Sequence, residues 1–133
     1  MLKISKQSDY ALIIISQLYH TDAYTPLSVL ISKTKLPKRF LARIAADLVN
    51  RKILLSREGR VGGYKLAPSI SSTTLYEFFS IFEKNLNFVR CMEHSYICKF
   101  KSICKHKDGV RTKLNNIVIN QLKKIKLAEL FLN

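Results

Sequence analysis

The sequence predicts a mainly α-helical chain carrying one small β-hairpin. Three observations support that expectation: apolar residues recur at helical spacing through the first fifty positions, two short apolar runs flank a glycine-bearing turn near the middle, and an amphipathic stretch closes the chain. At 133 residues the chain has the commonest domain size and can bury one core without disulfide staples.

The elements follow in order. Ser5 is an N-cap residue, and Tyr10, Ile13, Ile14, Gln17 and Leu18 share one face of a helix expected from about Lys6 to His20, with Asp9 in its early turns. Thr25-Pro26 pairs a cap with proline at the first helical position and starts a short helix through Ser32; Lys33 to Leu36 form the turn after it. Pro37 opens a further helix in which Phe40, Leu41, Ile44, Ala45 and Leu48 make an apolar stripe while Lys38, Arg39 and Arg43 point elsewhere. Ile53-Leu54-Leu55 and Tyr64-Lys65-Leu66 are short strands joined by Ser56 to Gly63, with Gly59, Gly62 and Gly63 as turn formers.

Thr74-Leu75-Tyr76-Glu77 is a capping box, and Leu75, Phe78, Phe79 and Phe82 give the helix behind it an apolar face for the core. A loop follows from about Asn85 to Asp108. Leu114, Ile117, Val118, Leu122 and Ile125 then form a seam on a long helix from about Gly109 to Lys126, expected to bury itself against a second copy of the chain; folding back on its own domain is the alternative.

Lys and Arg number 23 against 9 acidic residues, a formal net charge of +14, which exceeds what solubility requires and suits a polyanionic partner, nucleic acid first. The dense apolar run Ala11 to Ile15 is too short to span a bilayer and lacks a signal-peptide cleavage pattern, so a cytoplasmic protein with reduced thiols and no membrane partner is expected. Catalysis is not expected. Cys98 or Cys104 with His106 is the one local nucleophile and base pairing, and neither a glycine-rich phosphate loop nor paired carboxylates accompany it, so no small-molecule substrate is assigned.

All three cysteines, Cys91, Cys98 and Cys104, fall within one basic stretch, RCMEHSYICKFKSICKHK. An odd count argues against a disulfide framework, and three thiolates at this spacing can converge on one metal centre while leaving a coordination position for a different ligand. Burial as small hydrophobes gives no reason for them to gather among Lys99, Lys101, Lys105 and Lys107. Zinc held by three Cys and one His is one such centre.

Two short helices joined by a tight turn, the second with Lys38, Arg39 and Arg43 in its N-terminal half, are what a helix-turn-helix DNA reader needs. The hairpin adds basic residues near its tip, Arg57 and Arg60, which can touch the phosphate backbone or an adjacent minor groove as the wing of a winged helix does.

The opening MLKISKQSDYA, the helix-turn-helix, the wing ending in GGYKLAP, the TTLYEFF helix, the three-cysteine loop and the closing LAEL together resemble the Rrf-two family of bacterial iron-sulfur transcription regulators, the group that includes IscR and NsrR. Within it the opening most resembles regulators of the SUF iron-sulfur assembly operon. The resemblance implies a winged helix-turn-helix domain at 1–84, a cysteine-rich cluster-binding loop at 85–108, and a dimerisation helix with a C-terminal tail at 109–133. It further implies a homodimer on a near-palindromic double-stranded operator, acting as a repressor, with a 4Fe-4S or 2Fe-2S cluster on Cys91, Cys98 and Cys104 and with Gly62, Gly63 and Tyr64, the wing signature, among the DNA-binding residues. Asp9, aligned with an N-terminal aspartate that is a ligand in NsrR-like members, is favoured as the fourth ligand. His106 competes, although it stands two residues after Cys104 where relatives place histidine three after, and His94 ranks third. The other readings are a nitric oxide or redox sensor of NsrR type and, from a different class, a zinc-stabilised or charge-driven nucleic-acid-binding protein without sensing.

Overall fold

The computed structural model describes residues 3–87, 90–93 and 95–132, without the side chain of Arg90. His94, the third ligand choice, lies outside the described residues. The fold is mainly helical with a two-stranded antiparallel hairpin, in the order α1 (Lys6–Leu18), α2 (Leu27–Thr34), α3 (Lys38–Asn50), β1 (Leu54–Arg57), β2 (Gly63–Leu66) and α4 (Leu75–Phe82). After the cysteine loop a continuous helical rod comprises α5 (Lys107–Val110), a π-helical segment (Arg111–Asn115) and α6 (Asn116–Lys124). Short 3-10 turns at Pro68–Ser71, Arg90–Met92 and Leu127–Phe131 complete the chain.

Ser5 caps α1 as expected: it is extended and its Oγ accepts the Ser8 N–H at 3.2 Å. The helix ends at Leu18, two residues short of the expected end, and Tyr19 stacks on Phe131 instead, centroids 5.3 Å apart. Thr25 does not cap α2. It is drawn into a backbone bridge with the hairpin, its N–H donating to the Tyr64 carbonyl at 2.8 Å and its carbonyl accepting from Tyr64 at 2.9 Å, and Pro26 takes the N-cap position. The helix runs on to Thr34 and stops where Lys35 adopts φ 61°, its N–H bonding to the Ile31 carbonyl.

The stripe on α3 faces the core, with Leu41, Ile44, Ala45 and Leu48 buried and Phe40 half-buried, edge-on to Tyr10. Around it pack Ile14, Ile15 and Leu18 of α1, Leu54 of β1 and Phe78 of α4. Burial of each such side chain stabilises by about 1.5–3 kcal/mol before conformational entropy is counted.

The rod departs from the sequence expectation in two ways. Its seam divides: Leu122 and Ile125 pack on this chain's own core, whereas Leu114, Ile117 and Val118 are exposed. Its helical repeat also slips. The π segment carries one residue more per turn than the α repeat, so the polar Asn115 turns inward, 5 % exposed, with its Nδ2 donating to Asn87 Oδ1, while Leu114 turns out. Beyond Lys124 the backbone becomes extended and returns to the core. The Leu75 N–H bonds to the Ile125 carbonyl, the Leu127 N–H bonds to the Thr73 carbonyl, and Leu127 is fully buried. No helix among the described residues is long and apolar enough to cross a membrane.

Candidate functional site

Two groups of residues carry the functional expectations, and the fold places them on different elements. Lys38, Arg39 and Arg43 are exposed on the first two turns of α3, because the buried stripe occupies the opposite face. In the hairpin, Leu54 pairs with Leu66, Leu55 with Lys65, Ser56 with Tyr64 and Arg57 with Gly63. Alternation puts Leu54, Tyr64 and Leu66 toward the core and Leu55, Arg57 and Lys65 on the outer face. Arg60 is exposed in the turn between the strands.

The two adjacent glycines shape this hairpin. A Cβ on Gly62 would fall on the Arg57 carbonyl, and a Cβ on Gly63, which sits at φ 134°, would fall on the Thr25 carbonyl. Tyr64 has both backbone groups committed to Thr25 and its side chain against the core cluster. Arg57 lies with its Cζ 4.3 Å from the Tyr24 ring centroid, and its Nη2 donates to the Val61 carbonyl at 2.9 Å.

The cysteines lie in the loop between α4 and the rod. Cys91 is in the 3-10 turn, the Cys104 N–H bonds to the Phe100 carbonyl, and all three thiols are free and half-buried. They line one open hollow of about 480 Å³ together with Lys101, Lys107 and Asp108. Three soft thiol donors in one hollow fit a metal-sulfur group by chemistry, with two ammonium groups alongside to offset its negative charge. The thiols are not gathered: among the described residues no group of three His, Cys, Asp or Glu side chains could hold a metal ion. His106 Nδ1 stands 3.7 Å from Cys104 Sγ. Asp9 is exposed on the first turn of α1 and does not line this hollow, whereas Asp108 does, paired with Arg111 at 3.1 Å.

Sequence reasoning missed Tyr24, Asp108 and Glu83. Tyr24 meets Arg57 from 33 positions away, and nothing local announces that contact. Glu83 closes α4 and reaches the start of α1, where its Oε1 accepts the Ser5 N–H at 2.8 Å and the Ser8 hydroxyl at 2.6 Å. The position three after the Ser5 cap holds Ser8 where a capping box would hold an acid, and Glu83 fills that role from the far end of the unit. The clue was a serine cap without its acidic partner.

Burial acts to raise the Glu83 pKa, but the Ser8 and Ser5 hydrogen bonds outweigh it and the net shift is downward. A lowered carboxylate pKa stabilises the fold above the unfolded-state value, about 4.3, and that contribution is lost as pH falls through the folded-state value. Glu83→Gln is expected to cost about 1.5 kcal/mol at neutral pH, the low end for hydrogen bonds to a charged group because the site is partly solvated. Urea unfolding at pH 7 and pH 3 checks this; an equal gap between wild type and variant at both values would contradict the assignment.

A basic chain with an exposed cationic helix face, a packed hairpin and a cysteine-lined hollow has the build of a small regulatory protein. The chain belongs to the Rrf2 family, described as iron-dependent transcriptional regulators, whose match spans residues 4–133. Among solved structures it is similar to CymR of B. subtilis, described as that organism's global cysteine regulator, with TM-score 0.73, 23% identity, and 98% of this chain and 97% of that one covered. The oxidized form of Staphylococcus aureus CymR matches with TM-score 0.73 at 18% identity, covering 99% and 98%. IscR of T. potens matches with TM-score 0.65 at 20% identity, covering 97% and 85%. These likenesses establish the shared fold. No curated protein matches the chain in sequence.

Proposed function

We propose that the protein binds DNA as a transcription regulator, a repressor of iron-sulfur assembly (SUF) genes, and that an iron-sulfur cluster on Cys91, Cys98 and Cys104 controls its operator binding. In this reading α2 and α3 are a helix-turn-helix and the β1–β2 hairpin is its wing. Lys38, Arg39 and Arg43 face the major groove, and Arg60 meets the backbone from the wing. Two copies pair through the exposed part of the rod's seam, so that each reads one half of a near-palindromic site.

The observation that carries the reading is that all three cysteines line one hollow whose edge is the first turn of the rod, through Lys107 and Asp108, while the same rod exposes Leu114, Ile117 and Val118 further along. The hollow and the pairing surface therefore share one element. When bound, a cluster on three thiolates and one weaker donor supplies a group that is lost or degraded more readily than an all-thiolate one. The three thiolates would hold it, with Asp9 the favoured fourth donor, supplied by a second copy since Asp9 does not line the hollow of its own chain; His106, beside Cys104, competes.

Anaerobically purified protein is expected to be brown, with iron and sulfide countable per chain, and Ala at Cys91, Cys98 or Cys104 is expected to remove the absorption and alter operator affinity. Colourless protein retaining one zinc per chain would sink the cluster and leave the DNA reading standing. Loss of operator binding on nitrosylation, without any response to iron-sulfur supply, would move the assignment to nitric oxide sensing.

A further inference from the structure

We propose that Tyr24, Arg57 and Lys65 form a phosphate-binding site that grips one backbone phosphate of DNA alongside the hairpin. The proposal rests on the DNA reading above and names a site within it.

Arg57 and Lys65 share the outer face of the hairpin, set diagonally across the two strands, because Arg57 pairs with Gly63 and Lys65 stands two residues beyond that glycine. Gly63 presents no side chain opposite Arg57, and its bare backbone lets the segment through Thr25 approach closely enough to bridge to Tyr64. That bridge brings the preceding residue, Tyr24, against the cationic face. The Arg57 guanidinium lies 4.3 Å from the ring centroid and the Lys65 Nζ 5.9 Å from it, both within cation–π reach.

The arrangement brings two cations to one ring, and among the described residues neither forms an ion pair. Their mutual repulsion is offset by an anion placed between them. Beside them is a hollow of about 440 Å³, lined also by Asp22, Pro26 and Gly62. Asp22 is its only acidic lining residue, so two positive groups against one negative leave it net positive. An oxyanion with no fixed shape requirement suits such a site, and on a basic hairpin beside duplex DNA that oxyanion is a phosphodiester. Tyr24 is a positioning residue: its ring holds the guanidinium over the hollow, while the Nη2 bond to Val61 fixes the far side of the fork. The other two cation contacts with rings are made elsewhere or by Lys65 alone, so Arg57 has no second platform among the described residues.

The test is a salt titration of anaerobically purified protein on the duplex that wild type enriches from a randomised pool, read by fluorescence anisotropy. Arg57→Ala and Lys65→Ala are each expected to reduce the slope of log affinity against log salt by up to about one, and the two together by no more than about one, because both cations hold the same phosphate. Tyr24→Leu keeps apolar bulk but removes the π face, and is expected to lose about the same slope although Arg57 is present. Tyr24→Phe restores the wild-type slope. Adding Arg57→Ala to Tyr24→Leu lowers it no further, because both changes remove one contact. A wild-type slope in folded Tyr24→Leu, or additive losses in the double variant, would overturn the site and leave Tyr24 as packing. Failure of wild type to enrich any duplex would overturn the DNA reading itself, and this site with it.

Discussion

Phe78→Ala is expected to lower the free energy of unfolding by about 3–5 kcal/mol, the cost of emptying a large, closed core position. Phe78 is fully buried and lies edge-on to both Phe79 and Phe82, with centroids 5.3 and 5.8 Å away. The loss has two parts, the transfer free energy of the ring and the contacts its neighbours lose around a cavity that closes only in part. Against a typical total of about 5–15 kcal/mol it would leave the fold marginal. The functional reach is wider than stability. The same helix ends in Glu83, which clasps the start of α1, and leads into the cysteine loop, so loosening α4 loosens both attachments. Phe79 is half-buried, and Phe79→Ala is expected to cost clearly less. Urea midpoints of the two variants check the order; equal effects would mean that the core does not centre on Phe78.

Gly63→Ala is expected to cost roughly 2–5 kcal/mol, combining backbone strain at a positive φ with loss of two backbone hydrogen bonds. The added methyl falls on the Thr25 carbonyl, a backbone atom that cannot swing aside as a long side chain would. Either the bridge between Thr25 and Tyr64 opens or the hairpin tilts away from the segment before α2. Both outcomes separate Tyr24 from Arg57. The helical signal should survive at low temperature, since the core of α1, α3 and α4 does not pass through this glycine, while operator affinity falls together with thermal stability. Gly59 is the informative control: it also has positive φ, but a Cβ there meets nothing within 4 Å, so Gly59→Ala tests strain without collision.

The helices and the hairpin were legible in the sequence because each announces itself locally. The Ser5 cap, the α3 stripe and the capping box at Thr74 are patterns spanning a few residues, and the structure places all three as expected. What failed was read locally but decided at a distance. Thr25 has the chemistry of an N-cap, yet two backbone hydrogen bonds to Tyr64 outcompete one cap. The residues from Leu114 to Ile125 read as one continuous seam, whereas the π segment turns Leu114 outward and brings the neighbouring Asn115 inward. Of the site residues, the cationic face of α3 followed from its buried stripe, and the shared hollow of the cysteines from their clustering. Tyr24 and Glu83 act across 33 and 78 positions, where no spacing rule reaches.

The tethering of the last residues gives the rod the mechanics of a lever hinged at one end. Residues 107 to 124 span about 27 Å at the helical rise. One end is held by the backbone bonds of Ile125 and Leu127 and the burial of Leu127, while the other borders the cysteine hollow. A tilt about that hinge moves each point in proportion to its distance from it, so the stretch from Leu114 to Val118, roughly half way along by the helical rise, travels about half as far as the hollow does. One ångström at the cysteines becomes about half an ångström at the exposed apolar patch, enough to forfeit a quarter of the attraction between atoms in close contact.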